Sequence, residues 1–517
     1  MAMGWTIADL VRRGVAKHAT HAAISFEGRT CSYAELDERS SRVADGLLRE
    51  GITAGDRIAL FAKNCPEQFE IILGASKAGA ITVPINWRLS PSEVAYILDN
   101  CGARILFVGE EFESLIEGIR ESLPLSKYLV LGAADSPKGY ARWRGQHDAR
   151  DPLCPVDPDD VALLLYTSGT TGRPKGAMLT SRNLSTLLDA VGPMWGLNED
   201  TRSVACMPLF HIGGIGWALA ALRFDGTIVL VRMFDAEDLS VTISRERATH
   251  VNLVPAMISA LVNSPSVRKL DHSSLRMILY GTAPIGKQTL AAALEVFNCA
   301  FVQVYGLTET TSAITELDAQ DHRGQDETAL SSAGRPYPWV DVKIVDPLTL
   351  ESCDTNEPGE LWVRSAQNMR GYWRDPVATA ATIGDGWLRT GDTGYLDAAG
   401  YLYLTDRLKD LIVSGGENIY PAEAERILLE HPAVSDAAVV GVPDSRWGEV
   451  AKAVVVLKPG SSVSSEEIVQ YVRQRLAHFK CPTSVDFVET LPRNAAGKVL
   501  KRQLREPYWE GHSRRIN

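Results

Sequence analysis

The segment from 166 to 176, Tyr-Thr-Ser-Gly-Thr-Thr-Gly-Arg-Pro-Lys-Gly, combines glycines, hydroxyls and one ammonium group. Glycines let a backbone fold tightly enough to aim several N–H groups at one anion. The hydroxyls and the ammonium of Lys175 add donors suited to phosphate oxygens. The chemistry indicated is phosphate binding, although a Gly- and Thr-rich surface hairpin has the same composition.

The spacing excludes the commonest phosphate loop. A Walker A sequence needs Gly, four further residues, then Gly-Lys and Ser or Thr. Here Pro174 precedes Lys175 and Gly176 follows it. The segment therefore predicts a phosphate loop of another kind.

Two further segments each end an apolar run and suit a nucleotide. Tyr305-Gly306-Leu307-Thr308-Glu309 offers an aromatic ring for a base, a hydroxyl for a phosphate and a carboxylate for Mg²⁺. Gly281-Thr282-Ala283 is small enough for a planar ring to approach the backbone, and a plain turn is the alternative.

Each of three single residues has a catalytic or binding interpretation and a purely structural one. Asp392, between two glycine-containing pairs, suits ribose hydroxyls or a simple turn. His211, among apolar and small residues, is either a catalyst or a buried structural histidine. Lys498, on a Gly- and Ala-rich loop, is either catalytic or an exposed surface charge.

The elements that must position these residues follow from hydrophobic patterning. Apolar runs such as 161–165 and 104–108 predict buried strands, and they alternate with helical patterns, which favours mostly parallel sheets covered by helices. Ser90 and Glu93 have capping-box spacing at the start of one such helix. After about residue 400 the pattern changes to a small α+β unit, so we predict domains at 1–408 and 409–517.

Composition narrows the class of protein. The 517 residues exceed one ordinary core, and a net charge of −11 argues against general nucleic-acid binding. No apolar run is long enough to span a bilayer, and no signal peptide is evident. The eight cysteines are scattered singly, which suits neither a zinc site nor a disulfide scaffold and favours the reducing cytoplasm.

Taken together, from about Thr30 to Arg505, these segments resemble the adenylate-forming superfamily of acyl-CoA synthetases, nonribosomal-peptide adenylation domains and firefly luciferase. The 167–176 loop is the most specific match. The stretch from Asp406 to Pro421, with Arg446-Trp447-Gly448-Glu449, is most similar to fatty-acyl and aryl-acid CoA ligases. Val413 stands where luciferases carry a second lysine, which disfavours light-emitting chemistry.

The resemblance implies a large α/β N-terminal domain, a small mobile C-terminal domain and two reactions in one site. In the first, a carboxylate attacks the α-phosphorus of ATP and gives an acyl-adenylate. Lys498 would bridge the carboxylate and phosphate, Thr308 would contact the α-phosphate, and Glu309 would ligate Mg²⁺. The other nucleotide-binding residues implied are Thr167, Ser168, Gly169, Thr170, Thr171, Gly172, Lys175, Gly281, Thr282, Ala283, Tyr305, Gly306, Asp392 and Arg407.

In the second reaction the thiol of coenzyme A attacks the adenylate and expels AMP. The resemblance implies that the C-terminal domain rotates about Lys409 and presents Ser414, Gly415 and Gly416, with Trp447 as a stacking surface for CoA. His211 would lie between the acyl and CoA tunnels. The implied acyl pocket is lined by His211, Gly213, Gly214, Trp217, Tyr280 and Gln303.

The expected function is an ATP- and Mg²⁺-dependent acid:CoA ligase acting on medium- or long-chain fatty acids. Aryl or cinnamate-type acids are the alternative, as is an adenylation enzyme that loads a carrier protein. A non-catalytic relative should have lost Lys498, Glu309 or the loop glycines, and all are present. Peripheral membrane contact and a dimer are both compatible with the sequence.

Overall fold

The computed structural model describes residues 4–132, 136–167, 173–283, 285–324, 328–347, 349–407, 410, 412–414, 417–444, 446–476, 478–493 and 499–510. The chain forms two compact units. The first comprises 1–341 and 364–388, and the second comprises 342–363 and 389–517. The boundary predicted at 408/409 from the change in sequence pattern stays a prediction.

The first unit is built on two mostly parallel sheets, as the sequence predicts. The larger has nine strands, in spatial order Arg335–Pro336, Ser312–Leu317, Ala300–Leu307, Met277–Gly281, His250–Leu253, Arg202–Ala205, Thr227–Leu230, Ala22–Phe26 and Arg29–Ser32. The smaller has six, in the order Lys127–Leu131, Ile105–Gly109, Arg57–Phe61, Ile81–Pro84, Val161–Thr167 and Lys175–Thr180.

Helices cover these sheets because each connection between parallel strands must cross from one edge of the sheet to the other. They are Ile7–His18, Tyr33–Arg49, Glu67–Ala78, Pro91–Cys101, Glu113–Ile119, Tyr140–Gly145, Ser181–Met194, Ile212–Arg223, Ala236–Arg245, Pro255–Val262, Lys287–Phe297, Ala319–Arg323 and Pro376–Thr382. The predicted capping box is present, since Glu93 accepts from the backbone N–H of Ser90 at 2.8 Å.

Two antiparallel-rich sheets supply the rest. One has the order Asp341–Val345, Gly359–Arg364, Trp387–Leu396 and Ile383–Gly384, with Leu402–Arg407 also paired to Trp387–Leu396. The other has the order Glu417–Ile419, Ile412–Ser414, Gly448–Leu457 and Val434–Asp444, with Ser484–Phe487 also paired to Gly448–Leu457. Helices Pro421–Leu429, Ser465–Arg473 and Lys501–Trp509 belong to the second unit, which confirms an α+β pattern after residue 400.

Candidate active site

The phosphate-loop segment lies between two strands of the smaller sheet. Thr167 ends one strand, Lys175 begins the next, and their Cα atoms are partners in an antiparallel pair. The predicted buried strand is present, with Leu163, Leu164 and Leu165 fully buried. A glycine-rich connection joins the two strands, and Thr167 and Lys175 mark its two ends.

A carboxylate lies at the first of these ends. Glu309, two residues beyond the strand Ala300–Leu307, accepts hydrogen bonds from the Thr167 hydroxyl at 3.3 Å and from the Tyr372 hydroxyl at 2.8 Å. The Lys175 ammonium lies 5.2 Å from the centre of the Tyr372 ring. We call Thr167, Lys175, Glu309 and Tyr372 the phosphate-end cluster. Through the hydrogen bond from Thr167 to Glu309, this cluster connects the smaller and the larger sheet of the first unit.

Tyr372 is a member of this cluster that sequence reasoning missed. The backbone N–H of Trp373 donates to Gly176, Met178 donates to Gly371, and Tyr372 bridges Ala177, so this segment runs beside the strand Lys175–Thr180. Met369 donates to the Glu309 carbonyl at 2.8 Å. A tyrosine 63 residues from its carboxylate partner carries no local motif, so only the fold could reveal it.

The strand-end segments predicted to hold the nucleotide occupy one edge of the larger sheet. Gly281 ends its strand beside Val304, and Tyr305 and Gly306 follow on the neighbouring strand. A Cβ at Gly281 would lie 2.4 Å from the Val304 carbonyl oxygen, and one at Gly306 would lie 1.8 Å from that of Ser312. Both glycines are therefore required by the protein's own backbone, independently of any bound ring.

Thr282 and Thr308 stand out at this edge. Thr282 has φ of 72°, a left-handed conformation that is unusual for a β-branched residue and that is enriched at active sites. The Thr308 hydroxyl has no hydrogen-bond partner among the described residues. Ala283 follows Thr282 and is exposed.

His211 caps the helix Ile212–Arg223, which we call the site helix. Its Nε2 is buried and has no hydrogen-bond partner within the described part of the chain. Burial, with a smaller contribution from the charge of Arg88, lowers the pKa of His211 to about 4. The ring is therefore neutral at physiological pH and offers one unsatisfied polar atom to a ligand.

The two glycines after His211 differ in their surroundings. A Cβ on Gly213 would meet only the Asn252 side chain at 3.8 Å, so Gly213 borders open space. A Cβ on Gly214 would lie 2.2 Å from the Pro208 carbonyl oxygen. Only Gly213 leaves the room that both were expected to leave, and Gly214 instead allows the helix to begin against the preceding turn.

The structure does not bring Tyr280 and Gln303 together with the site helix. Asn252 donates to the Gly213 carbonyl at 2.9 Å, and register places Leu279 on the same sheet face as Asn252. Because side chains alternate between faces, Tyr280 and its partner Gln303 face the other way. There the Tyr280 hydroxyl bonds His322 Nε2 at 2.7 Å and packs in a core that includes Phe301. In a sheet buried on both faces, sequence does not reveal which face each residue occupies.

In the second unit, Asp392 and Ser414 lie on strands of two different sheets. Asp392 is buried, and strand pairing places it opposite Arg407. The preceding Gly391 has φ of 68°, and its backbone N–H donates to the Glu360 carboxylate at 3.0 Å. Ser414 pairs with Gly448, next to Trp447. The Trp447 ring is 47% exposed and lies 4.6 Å from the Arg446 guanidinium, and its role as a stacking surface for CoA stays a prediction.

Several predicted residues lie outside the described part of the chain. They are Ser168, Gly169, Thr170, Thr171, Gly172, Lys409, Gly415, Gly416 and Lys498, together with the side chain of Arg407. The roles assigned to them stay predictions.

The described residues fit a magnesium ion that is shared with phosphates. They contain no group of three or more acidic, histidine or cysteine side chains that would cage a metal. Mg²⁺ usually takes one or two carboxylates and completes its coordination with phosphate and water oxygens. Glu309 would supply one such carboxylate, and its Oε2 accepts no hydrogen bond from a described residue.

Comparison with known protein families defines the class of enzyme to which this fold belongs. The model of the AMP-binding enzyme family matches residues 11–373, and that of the AMP-binding enzyme C-terminal domain matches 423–498. The chain belongs to this family, within the adenylate-forming superfamily, and is an AMP-forming acid–thiol ligase.

Particular relatives differ in their acids and acceptors. The chain is 40% identical to a feruloyl-CoA synthase of an Amycolatopsis species, over 96% of this chain and 98% of the relative. It is 38% identical to the fatty acid–[acyl-carrier-protein] ligase ScoC of Streptomyces coeruleorubidus, over 97% and 96%. A solved Mycobacterium tuberculosis fatty acyl CoA synthetase matches with a TM-score of 0.80 and 32% identity, over 98% and 99%.

Over the described residues, no helix has both the length and the apolar character needed to cross a membrane.

Proposed function

We propose that this enzyme joins a carboxylic acid with an apolar chain or ring to coenzyme A, through an acyl-adenylate formed from ATP. The observation that carries the proposal is the phosphate-end cluster. It holds the Glu309 carboxylate between the Thr167 and Tyr372 hydroxyls, with the Lys175 ammonium beside them. An anion site flanked by a carboxylate suits a nucleotide whose phosphates arrive with Mg²⁺.

In this proposal the first reaction requires two anions to meet, so charge neutralisation is the main catalytic demand. Residues 167–175 bind the β- and γ-phosphates, and the free Thr308 hydroxyl donates to the α-phosphate. Glu309 holds Mg²⁺, which would offset the phosphate charge when bound. Lys498 bridges the carboxylate and the α-phosphate, an interaction that strengthens in the transition state.

Two sets of residues are assigned to the nucleoside. Gly281, Thr282, Ala283, Tyr305 and Gly306 frame the adenine. Asp392 and Arg407 hold the ribose. The support is that the first set occupies one strand edge and that the second pair is opposed in a strand register.

For the acid, we assign the sheet face toward the site helix. His211, Gly213 and Trp217 come from the helix, and Leu279 and Val304 replace Tyr280 and Gln303 on the strands. The open space at Gly213 and the unsatisfied Nε2 of His211 support this assignment. A neutral imidazole can orient a carboxylate or thioester oxygen by hydrogen bonding. A charged side chain would instead repel that oxygen or bind it too tightly.

For the second reaction, we propose that the unit beyond Lys409 rotates and presents Ser414, Gly415 and Gly416 to pantetheine. Trp447 stacks on the CoA adenine. One site would then serve both half-reactions.

A carrier-protein thiol is the second candidate acceptor, since ScoC acts on a carrier protein. Both acceptors present the same pantetheine thiol to the adenylate. The first half-reaction is therefore common to the two candidates.

The test is AMP and pyrophosphate release over a panel of acids, with and without CoA. The panel runs from acetate through octanoate and palmitate to benzoate, ferulate and amino acids. We expect AMP release that depends on CoA, whereas pyrophosphate release indifferent to CoA would favour a carrier protein. Lys498→Ala should abolish adenylate formation yet form thioester from supplied acyl-adenylate, and equal loss of both half-reactions would contradict its role.

A further inference from the structure

Two tryptophans meet beneath the site helix. Trp195 and Trp217 are 7% and 5% exposed, and their ring centroids are 5.9 Å apart. Trp195 directly follows the helix Ser181–Met194, while Trp217 lies on the site helix. Neither ring touches the phosphate-end cluster, so the pair needs a separate explanation.

The position of Trp217 follows from the direction of the site helix. This helix connects two parallel strands, Arg202–Ala205 and Thr227–Leu230, so it runs from the carboxyl edge of the sheet to the amino edge. Trp217 is one turn beyond Gly213 on the same helix face, which is a descent of about 6 Å. Its Nε1 donates to the Val204 carbonyl at 3.0 Å, which fixes the ring against the sheet.

Trp195 is fixed just as firmly, from the sheet side. Its Nε1 donates to Glu316 Oε2 at 2.8 Å, and the Tyr337 hydroxyl donates to the same oxygen at 2.9 Å. Register pairs Glu316 with Val304, so this carboxylate faces the site helix. At the other end of the residue, His250 Nε2 contacts the Trp195 carbonyl at 2.9 Å.

A surface groove lies on the far side of Trp195. Its volume is about 450 Å³, and its lining includes Trp195, His250, Arg276, Met277, Val302 and Glu316. His250 and Met277 are the first residues of their strands, so the groove opens at the amino edge. Gly213 borders the opposite, carboxyl edge. The two tryptophans therefore lie between the space at Gly213 and the groove.

We propose that Trp195 and Trp217 form the floor of the acyl pocket and that Glu316 holds this floor closed. The inference rests on the proposed ligase function and narrows its substrate class. An acid enters at the carboxyl edge and its apolar end stops at the indole rings. Medium-chain acids and single-ring aryl acids fit above the floor, whereas a long chain would have to displace the rings and emerge in the groove.

The test compares chain-length preference in the wild type and in Trp217→Ala. We expect the wild type to favour octanoate or ferulate over palmitate in kcat/KM. In Trp217→Ala the ratio of palmitate to octanoate should rise at least about tenfold, mainly through KM, because a blocked pocket becomes continuous with the groove. A wild type that prefers palmitate would overturn the inference, as would a ratio that stays constant in a folded variant.

Further variants test whether the hydrogen bond from Trp195 to Glu316 holds the floor in place, and whether a change elsewhere in the groove has any effect. Glu316→Leu removes the acceptor of Trp195 and should shift the ratio in the same direction, while Glu316→Gln keeps an acceptor and should not. Met194→Ala changes an exposed residue of the groove and should leave the preference unchanged. If Trp217→Ala does not fold, Trp217→Leu makes the same comparison with a smaller packing defect.

Direct binding keeps the inference testable without turnover. Calorimetric titration of dodecanoate and octanoate into the nucleotide-free enzyme needs neither CoA nor catalysis. We expect dodecanoate to gain affinity relative to octanoate in Trp217→Ala, and equal relative affinities in both proteins would overturn the floor. If no acid in the panel releases AMP, the proposed function fails while this titration still decides the floor.

Discussion

At the scale of single residues, the phosphate-end cluster shows how neighbouring side chains orient one carboxylate. Glu309 is oriented by two hydroxyls, and one of these belongs to a tyrosine whose ring also faces the Lys175 ammonium. The tyrosine thus positions an anion and a cation at once. Such outer partners commonly account for part of the affinity for a metal–phosphate ligand.

We predict that Glu309→Gln lowers the rate of pyrophosphate release by about 10²-fold or more, because the carboxylate that offsets the metal charge is lost. Tyr372→Phe should cost about tenfold, since it removes an orienting donor and keeps the ring. Initial rates over a range of magnesium concentrations at fixed ATP measure both. A Tyr372→Phe variant with the full Glu309→Gln defect would contradict the assignment of separate roles.

The buried His211 ring predicts how stability depends on pH. Its pKa is lowered from 6.5 to about 4 by burial, so the unfolded chain binds the proton at a higher pH than the folded chain. The stabilisation is complete above about pH 6.5 and is lost progressively as the pH falls toward 4. The loss is about 1.4 kcal/mol in the free energy of unfolding for each pH unit in that window.

Denaturant unfolding between pH 4 and 7 tests this dependence. His211→Leu should flatten the curve relative to the wild type. His478→Gln, which changes an exposed histidine, should not. His250, whose pKa is also lowered to about 4 by burial, should keep a residual slope in the His211 variant, and unchanged steepness there would contradict the prediction.

At the scale of elements, the start of the site helix offers a matched pair of substitutions. Gly214→Ala places a methyl group 2.2 Å from a backbone oxygen, so the chain must shift and stability should fall by about 1–3 kcal/mol. Gly213→Ala enters open space and improves helix propensity, so stability should be kept or raised by up to about 1 kcal/mol.

The two variants should separate stability from substrate choice. Thermal unfolding should distinguish Gly214→Ala from the wild type. The KM values of ferulate and octanoate should distinguish Gly213→Ala, because a methyl group at that position narrows the proposed acyl pocket. Similar melting temperatures for both alanine variants would show that the helix start tolerates a Cβ.

Elements defined by local patterns were predictable from the sequence. The strand Val161–Thr167 follows from an apolar run, and the helix Pro91–Cys101 follows from Ser90 and Glu93. The sheet face that each side chain occupies was not predictable in the same way. Tyr280 and Leu279 are both buried neighbours, and only the strand register shows that Leu279 faces the site helix. Tyr372 and Glu316 become partners of distant residues through tertiary packing, for which no local spacing is a signal.

At the scale of the whole molecule, each of the two compact units carries residues that are predicted to bind substrates. The phosphate-end cluster and the site helix belong to the first unit, whereas Asp392, Ser414 and Trp447 belong to the second. The proposed rotation about Lys409 would make use of this division, because it would change the groups offered to one bound adenylate.

We predict that Lys409→Pro blocks the thioester step more than adenylate formation, by about 10²-fold, because proline fixes φ at the proposed pivot and misplaces the incoming groups. Lys409→Ala leaves φ free and is the matched control. Single-turnover measurements of pyrophosphate release and of acyl transfer from supplied adenylate separate the steps. A proline variant with a normal second step would place the pivot elsewhere.

Thr282 has an evolutionary consequence. A β-branched residue held at φ of 72° stores about 1–3 kcal/mol of strain, a sizeable share of the margin by which a typical protein stays folded. Glycine at that position would release the strain and add about 0.4–1 kcal/mol of conformational entropy to the unfolded chain, so the larger strain term leaves a more robust form one substitution away. Selection for thermal robustness alone would favour that exchange, and retention of the threonine would then record selection for what the strained turn does.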